Sequence, residues 1–561
     1  MKKAERNLYL NDFSNQIIFF NIEINAPGIK SKNHPRDLKS NMLETGIPET
    51  ESSDPLIRKA AKGGSIAIAG NVINKGLRFP FEILLARVLG AEGYGSYTLG
   101  YGLAMIGSKI SMLGLSSGIV RFASLYKGTG DINRVKGTLS SAFMISTLSS
   151  IAAGGLLFLF SGYLSRVFNM PELVNVLKIF AFAFPFYVIT LMAGNAARAF
   201  QAIKYEVAVT NICRPLANVV IVSIVFLLGF RLFGAVYGFL ISSAISAAYG
   251  LYLLKRIFPD IVSELKPSYE FRKLLRFSLP VLFVGFSYVL LNQTDRIMLG
   301  YFKASKDLGI YSAAAIISQQ AGLITYSFSC IFCPIISDLY NRNEFRQLEK
   351  LYKTVTRWIV SLNLVLLLLL ILFSKKIMGI FGSEFISGWL VLVILSSVHL
   401  VGYSTGGALA GHVLQMSGKQ DIEFINAMVM LIINVALNFW LIPIYGILGA
   451  AVATGVSYAV INIARITEVY RLLRLHPYDT NYHKLFIAAF AVIILFAFLF
   501  VFNVLSLSWI FSVIILVIVY FTALYFLGLE YEDKMIWETI KKRIVQREID
   551  REHKLDKKKF I

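Results

Sequence analysis

Apolar runs of about twenty residues recur along this chain from Ser65 to Leu529, separated by short polar stretches. At about 1.5 Å of rise per residue, each run carries a helix across a hydrocarbon layer about 30 Å thick. Their spacing predicts fourteen spans, over 64–86, 95–117, 138–162, 174–197, 207–229, 233–254, 275–299, 308–334, 354–374, 387–412, 422–442, 447–469, 485–504 and 507–528. A bilayer offers the backbone no partner, so spans of this length are read as helices and the fold class as an all-α polytopic membrane protein.

The first span breaks the apolar pattern in an ordered way. Asn71, Lys75, Arg78 and Glu82 fall within about 60° of one another on a helical projection, so its polarity forms one stripe. A charge at the bilayer centre costs roughly 2.5–3.5 kcal/mol on the insertion scale, which three lipid-facing charges would multiply to about 10. The stripe must face a bundle interior or a wet cavity. Arg78 and Glu82, four apart, can neutralise each other as an ion pair that fixes the helix. Lys75 then lacks a local partner, and Lys75 with Arg78 can instead line a cavity that receives an anion. Pro80 interrupts the same helix, and a bend is expected there.

The seventh span has a comparable face, with Gly285, Tyr288, Asn292, Asp295 and Arg296 on one side. The Asp295–Arg296 pair lies near the end of that span, where interfacial anchoring, a closure salt bridge and ligand contact are all open readings. Lys109 in the second span and Arg214 in the fifth are lone basic residues at or near membrane depth. Arg214, close to the basic end of its span, is expected to snorkel toward the interface.

An internal repeat organises the pattern. At an offset of 214, Gly95-Ser96-Tyr97 is echoed by Gly309-Ile310-Tyr311 and Gln201 by Gln415, and at nearly the same offset Gly234-Ala235 by Gly449-Ala450. Spans 1–6 and 7–12 therefore read as two pseudo-symmetric six-helix lobes around a central cleft, with two extra helices at the C-terminal end. The expected units are a polar leader at 1–62, lobes at 63–257 and 275–472, a linker at 258–274, the added pair at 473–529 and a charged tail at 530–561.

Composition supports this reading. Of 561 residues, 56% are hydrophobic and 16% charged, with mean hydropathy +0.64, which a water-soluble chain could not bury. The net charge of +21 belongs to the loops. Those after even-numbered spans hold most of the lysine and arginine, which puts both termini in the cytoplasm and dispenses with a nucleic-acid partner. Leader and tail are expected to be unstructured or surface-associated, with Lys557-Lys558-Lys559 reaching headgroups. Cys330 and Cys333 have CxxC spacing, but without a second pair or nearby histidine they read as small apolar residues, and no metal or cofactor is expected. No Walker A loop, sugar-nucleotide motif or HExxH is present, so an enzyme is not predicted.

The stretch Ala86-Arg87-Val88-Leu89-Gly90-Ala91-Glu92-Gly93-Tyr94-Gly95, the run Arg276 to Pro280, Gln293 to Gly300 with Leu308 to Ala314, and Ile442 to Ala451 resemble the oligosaccharide flippases of the multidrug/oligosaccharidyl-lipid/polysaccharide exporter superfamily. The resemblance covers roughly 58–530. It implies that a polyprenyl-phosphate- or pyrophosphate-linked oligosaccharide crosses the cell membrane by alternating access, with H+ or Na+ coupling and glycan-assembly proteins as partners. The cationic cleft it implies would draw on Lys75, Arg78, Asn71, Lys109, Asn292 and Arg296, with Glu82 and Asp295 for ion coupling or gating. The alternative within the superfamily is a cation-coupled multidrug exporter, which favours a carboxylate-dominated cleft.

Overall fold

The computed structural model describes residues 55–404, 406–478, 481–501 and 509–528. The expectations for residues 1–54 and for the tail, including Lys557-Lys558-Lys559, lie outside the described residues.

Every described element is helical. The first half comprises α1 (Pro55–Ser111), α2 (Leu115–Gly128), α3 (Ile132–Val167), α4 (Leu173–Ala199), α5 (Ile203–Leu227) and α6 (Leu232–Ile257). The second comprises α7 (Phe271–Phe302), α8 (Ser305–Ser318), α9 (Ala321–Asn341), α10 (Phe345–Leu372), α11 (Trp389–Ser404), α12 (Gly407–Met416), α13 (Gln420–Tyr445) and α14 (Ile447–Leu473), followed by α15 (Tyr482–Val501) and α16 (Trp509–Phe526).

Among the described residues, eleven helices are long and apolar enough to cross a membrane, or twelve with α7, bent by 47° between Ser287 and Val289, taken as one span. Set against fourteen expected spans, spans 1 and 2 lie in one continuous stretch, Ala69–Gly128, and the last apolar stretch, Phe511–Phe526, is short. A straight helix of that first stretch would measure about 90 Å, three times the hydrocarbon thickness. It breaks at Gly90, whose φ of 67° and ψ of 178° are open to glycine and closed to most side chains.

Beyond that break the two halves meet in a seam of very close backbone contacts. A Cβ on Gly95 would lie 1.9 Å from the carbonyl oxygen of Ser305, and one on Gly309 would lie 1.9 Å from that of Ala91. The two glycines are related to each other by the 214-residue offset of the sequence repeat, and so are Ala91 and Ser305, so the two contacts are symmetry equivalents. Thr98 and Ser312, also equivalent, hydrogen-bond to each other at 3.3 Å, which places the pseudo-twofold axis between them. Polar contacts extend the seam. Ser305 Oγ donates to the Glu92 carbonyl at 2.7 Å, Arg87 Nε to the Ile380 carbonyl at 2.7 Å, and the Ala91 N–H to Glu384 Oε2 at 2.9 Å. Since Ala91 restarts the helix after the break, Glu384 caps it from the opposite half. Tyr94 on Phe385 and Phe79 on Phe381 close the edges with aromatic contacts.

Small residues let backbones approach within van der Waals contact, and here that approach closes one end of the molecule. Gly309→Ala should cost roughly 1–3 kcal/mol of the closed arrangement by overpacking. A cysteine at Ser305 in a cysteine-free background should then react faster with a membrane-impermeant maleimide. Unchanged labelling would mean that the seam does not hold that end shut.

Candidate functional site

Between the halves, below the seam, lies a cavity of about 80 Å³. Helix α1 supplies Asn74, Leu77, Arg78, Phe81 and Glu82, spaced by three and four residues so that one helical face looks inward. After the Gly90 break the same chain returns with Tyr97, Thr98 and Tyr101. Helix α5 contributes Arg214 and Asn218, α6 Phe239 and Ser242, α7 Arg296 and α8 Ile316. Three guanidiniums and one carboxylate stand on this wall.

Each guanidinium is held differently. Arg78 Nε lies 3.1 Å from Glu82 Oε1, and its side chain remains 50% exposed while that of Glu82 is 9% exposed. Glu82 also accepts the Tyr94 hydroxyl at 3.0 Å. The Arg78 guanidinium carbon sits 6.0 Å from the Tyr101 ring centroid, within reach of a cation–π contact. The sequence left an ion pair and a cavity role for Arg78 as alternatives, and the geometry contains both.

Arg214 lies 5.1 Å from the Tyr187 ring and faces the cavity instead of snorkelling to an interface. The local reason is in the chain. Pro215 has no N–H and its ring crowds the carbonyl four residues back, and the preceding residues Val207–Cys213 relax into a π-helix. The widened turn rotates Arg214 inward. Asn74 Nδ2 reaches the Thr210 carbonyl of that segment at 3.4 Å, and Asn211 Nδ2 reaches Asn71 Oδ1 at 3.4 Å. The Arg-Pro dipeptide in an apolar run was the signal available in the sequence, and treating the helix as regular missed it.

Arg296 is 9% exposed. Its Nη1 donates to Gln293 Oε1 at 3.2 Å, while Nε has no hydrogen-bond partner among the described residues. An unpaired donor on a buried cation costs about 1–3 kcal/mol, so it is a group awaiting an acceptor.

Asp295, the preceding residue, turns away into the second half. Its Oδ2 accepts Tyr311 Oη at 2.5 Å and Thr454 Oγ1 at 2.6 Å, and its Oδ1 accepts Asn438 Nδ2 at 2.7 Å and Asn434 Nδ2 at 3.3 Å. The amide oxygen of Asn438 is buried without a donor. The carboxylate thus accepts from two amide nitrogens and two hydroxyls, a polar cradle of hard nitrogen- and oxygen-bearing groups with no soft ligand in it. No ion pair joins Asp295 and Arg296 among the described residues, so the closure salt bridge open to the sequence reading is absent.

The remaining expected residues disperse. Lys75 is one turn from Arg78 on the same stripe but outside the cavity wall, with no acidic group within 4 Å among the described residues. Asn71 donates to Tyr326 Oη at 2.9 Å, tying α1 to α9 across the halves. Lys109 lies against the bare backbone of Gly285, where a Cβ would meet its Nζ at 3.0 Å. Asn292 is exposed and outside the wall.

Comparison with known proteins follows this geometry. A family model described as "Polysaccharide biosynthesis protein" matches residues 60–340, and the MatE model matches 280–440. A probable low-salt glycan biosynthesis flippase, Agl15 of Haloferax volcanii, is 26% identical over 230 residues, covering 40% of this chain and 46% of its own length. An uncharacterized membrane protein of Methanocaldococcus jannaschii, MJ1068, is 24% identical over 441 residues, 74% of this chain and 85% of its own. Among solved structures, the lipid II flippase MurJ in an inward closed conformation superposes with a TM-score of 0.63 at 15% identity, covering 82% of this chain and 97% of that one. That likeness concerns the fold: all-α, with two lobes about a cleft.

Glu82→Gln should raise the cavity's net positive charge and put an amide N–H in place of the acceptor oxygen of either Arg78 or Tyr94. The expected result is tighter binding of inorganic pyrophosphate by calorimetry, together with a stability loss of roughly 1–2 kcal/mol, discounted because Arg78 is half open to water. Unchanged pyrophosphate affinity would show that these guanidiniums do not form an anion site.

Proposed function

Because this chain belongs to the polysaccharide biosynthesis protein family, we propose that it is a flippase, carrying a polyprenyl-phosphate- or pyrophosphate-linked oligosaccharide from the inner to the outer leaflet of the cell membrane by alternating access. The observation that carries the reading is the cavity's charge. Arg78, Arg214 and Arg296 face one carboxylate, Glu82, leaving a net positive site enclosed by Tyr97, Tyr101 and Phe239. Guanidiniums present forked donors that match phosphate oxygens, and charge-assisted hydrogen bonds are roughly twice as strong as neutral ones.

Dimensions assign the parts. A volume of about 80 Å³ holds several waters, at roughly 10–15 Å³ for each on the same measure. It suits a phosphate group, and the saccharide stays in the opening between the halves while the polyprenyl tail remains in lipid. Phosphate oxygens offset the orphaned Nε of Arg296 and compete with Glu82 for Arg78, so Glu82 takes a gating role, reclaiming Arg78 on release. Asp295 in its cradle of Asn434, Asn438, Thr454 and Tyr311 is the seat of a coupling proton or sodium ion, which is a co-substrate here.

The excess of lysine and arginine in loops after even-numbered spans supports cytoplasmic termini. The sealed end bearing Gly95 and Gly309 is then external, and the cavity serves the inner leaflet. Enzymes of glycan assembly would supply the cargo on one side and consume it on the other. An exporter of cationic drugs would need a carboxylate-dominated cavity, and Glu82 is the one acidic residue on this wall.

The decisive experiment uses vesicles containing purified protein and a fluorescent lipid-linked oligosaccharide. Arg78→Ala with Arg214→Ala and Arg296→Ala should slow flipping by at least about tenfold, since each charge-assisted contact is worth roughly 1.5–3 kcal/mol. Flipping at the unaltered rate would overturn the assignment. Asp295→Asn should retain slow flipping but lose its response to an imposed H+ or Na+ gradient, and a full response would remove Asp295 from coupling.

A further inference from the structure

Residues 258–276 connect the two halves and run over the end of the molecule opposite the seam. This connection is anchored by its backbone. The Ser268 N–H donates to the Asn133 carbonyl at 3.0 Å, and Lys136 Nζ to the Ser263 carbonyl at 2.5 Å. A Cβ on Gly137 would fall 1.8 Å from the Ser268 carbonyl oxygen, so α3 and the connection touch backbone to backbone. Glu270 is drawn inward by the Tyr126 hydroxyl, Lys273 Nζ at 3.3 Å and Arg134 Nε at 3.6 Å. The Tyr126 hydrogen bond, with those two cations behind it, holds its carboxyl below the usual carboxylate range.

Of the connection's acidic residues Glu264 is exposed and Asp260 partly buried, but beyond Glu264 Glu270 is turned in, and the face turned out from Leu265 to Arg276 has a definite character. Lys266, Arg272 and Arg276 are exposed and have no acidic group within 4 Å among the described residues. Between them Tyr269 and Phe271 stack at 5.2 Å with nearly parallel planes, and remain 51% and 36% exposed. Two stacked aromatic rings left open to water are unfavourable unless another phase covers them. Phe271 opens α7, and the span expected from the sequence begins four residues later at Leu275, so the rings lie about 6 Å from the hydrocarbon edge. That depth is the headgroup layer, where aromatic rings and cations settle together.

We infer that Leu265–Arg276 is a preorganised membrane-surface anchor, with Tyr269 and Phe271 inserted among headgroups and Lys266, Arg272 and Arg276 binding the phosphates of anionic phospholipids in the leaflet at that end. Positive charge in a loop is common to membrane proteins. What sets this segment apart is that backbone contacts to α3 fix which side chains face out, so little conformational entropy is lost when lipid binds. The inference is independent of the cargo and of the cavity's role.

The test uses the full-length chain with Cys213, Cys330 and Cys333 changed to serine and Tyr269→Cys carrying a bimane, in nanodiscs of phosphatidylcholine with or without 30% phosphatidylglycerol. Brominated lipid should quench the bimane, more strongly with phosphatidylglycerol present, and aqueous iodide should quench it weakly. Lys266→Gln, Arg272→Gln and Arg276→Gln together should abolish the phosphatidylglycerol dependence. At about fivefold per cation, the three charges set an apparent preference for anionic lipid of about a hundredfold. Strong iodide quenching with no response to brominated lipid in either disc would overturn the inference and mark this face as one covered by protein or water. Elution of each variant as a monodisperse species shows that the readout reports the anchor and not misfolding.

Discussion

A fixed positive charge can persist inside an apolar slab only where a counter-charge, a ring face or water meets it, and that constraint organises this molecule. Arg78 is met by Glu82 and the Tyr101 ring, Arg214 by the Tyr187 ring, and Arg296 by Gln293. Of the three, Arg296 alone has a buried donor left unpaired among the described residues. A cavity whose walls are under-neutralised and under-bonded stores an attraction for an anion that a fully paired core would lack.

The seam holds the two halves together on the far side of the Gly90 break. Equivalent small residues from the two halves cross at the pseudo-twofold axis, and their backbones come close enough that neither Gly95 nor Gly309 could carry a side chain without displacement. Packed backbones are bistable and do not deform continuously, so such a seam is either closed or parted. The Gly90 break is required for it: without the turn there, Ala91, Gly95 and Thr98 could not reach Ser305, Gly309 and Ser312. The symmetry stops at the chemistry. The anion-facing wall draws chiefly on the first half, and the carboxylate cradle lies wholly in the second. Asp295 and Arg296 serve one each, because neighbours on a helix point about 100° apart.

Much of this was legible in the chain. Apolar run length dictates helices that span, because lipid gives the backbone no alternative. The three-and-four spacing of Asn71, Lys75, Arg78 and Glu82 places them on one stripe, and the 214-residue offset relates Gly95 to Gly309 and Thr98 to Ser312, which lie together at the seam. The resemblance of Ala86–Gly95 and Gln293–Gly300 to flippases agrees with the family model over residues 60–340.

What the sequence by itself determined about this protein is local and periodic: the spans, the polar faces, the repeat and the bias of charge among loops, all set by rise per residue and the cost of polarity in hydrocarbon. Only the tertiary structure decided which polar residues share a space. Arg214 joins Arg78 because Pro215 forces a π-turn before it, whereas Lys75, on the same stripe as Arg78, stays out of the wall. Asp295 and Arg296 part company because α13 and α14 offer amides and a hydroxyl to one while the cavity lies beside the other. Helical periodicity gives a direction around an axis, but it carries no information on what a neighbouring helix, hundreds of residues away, places opposite.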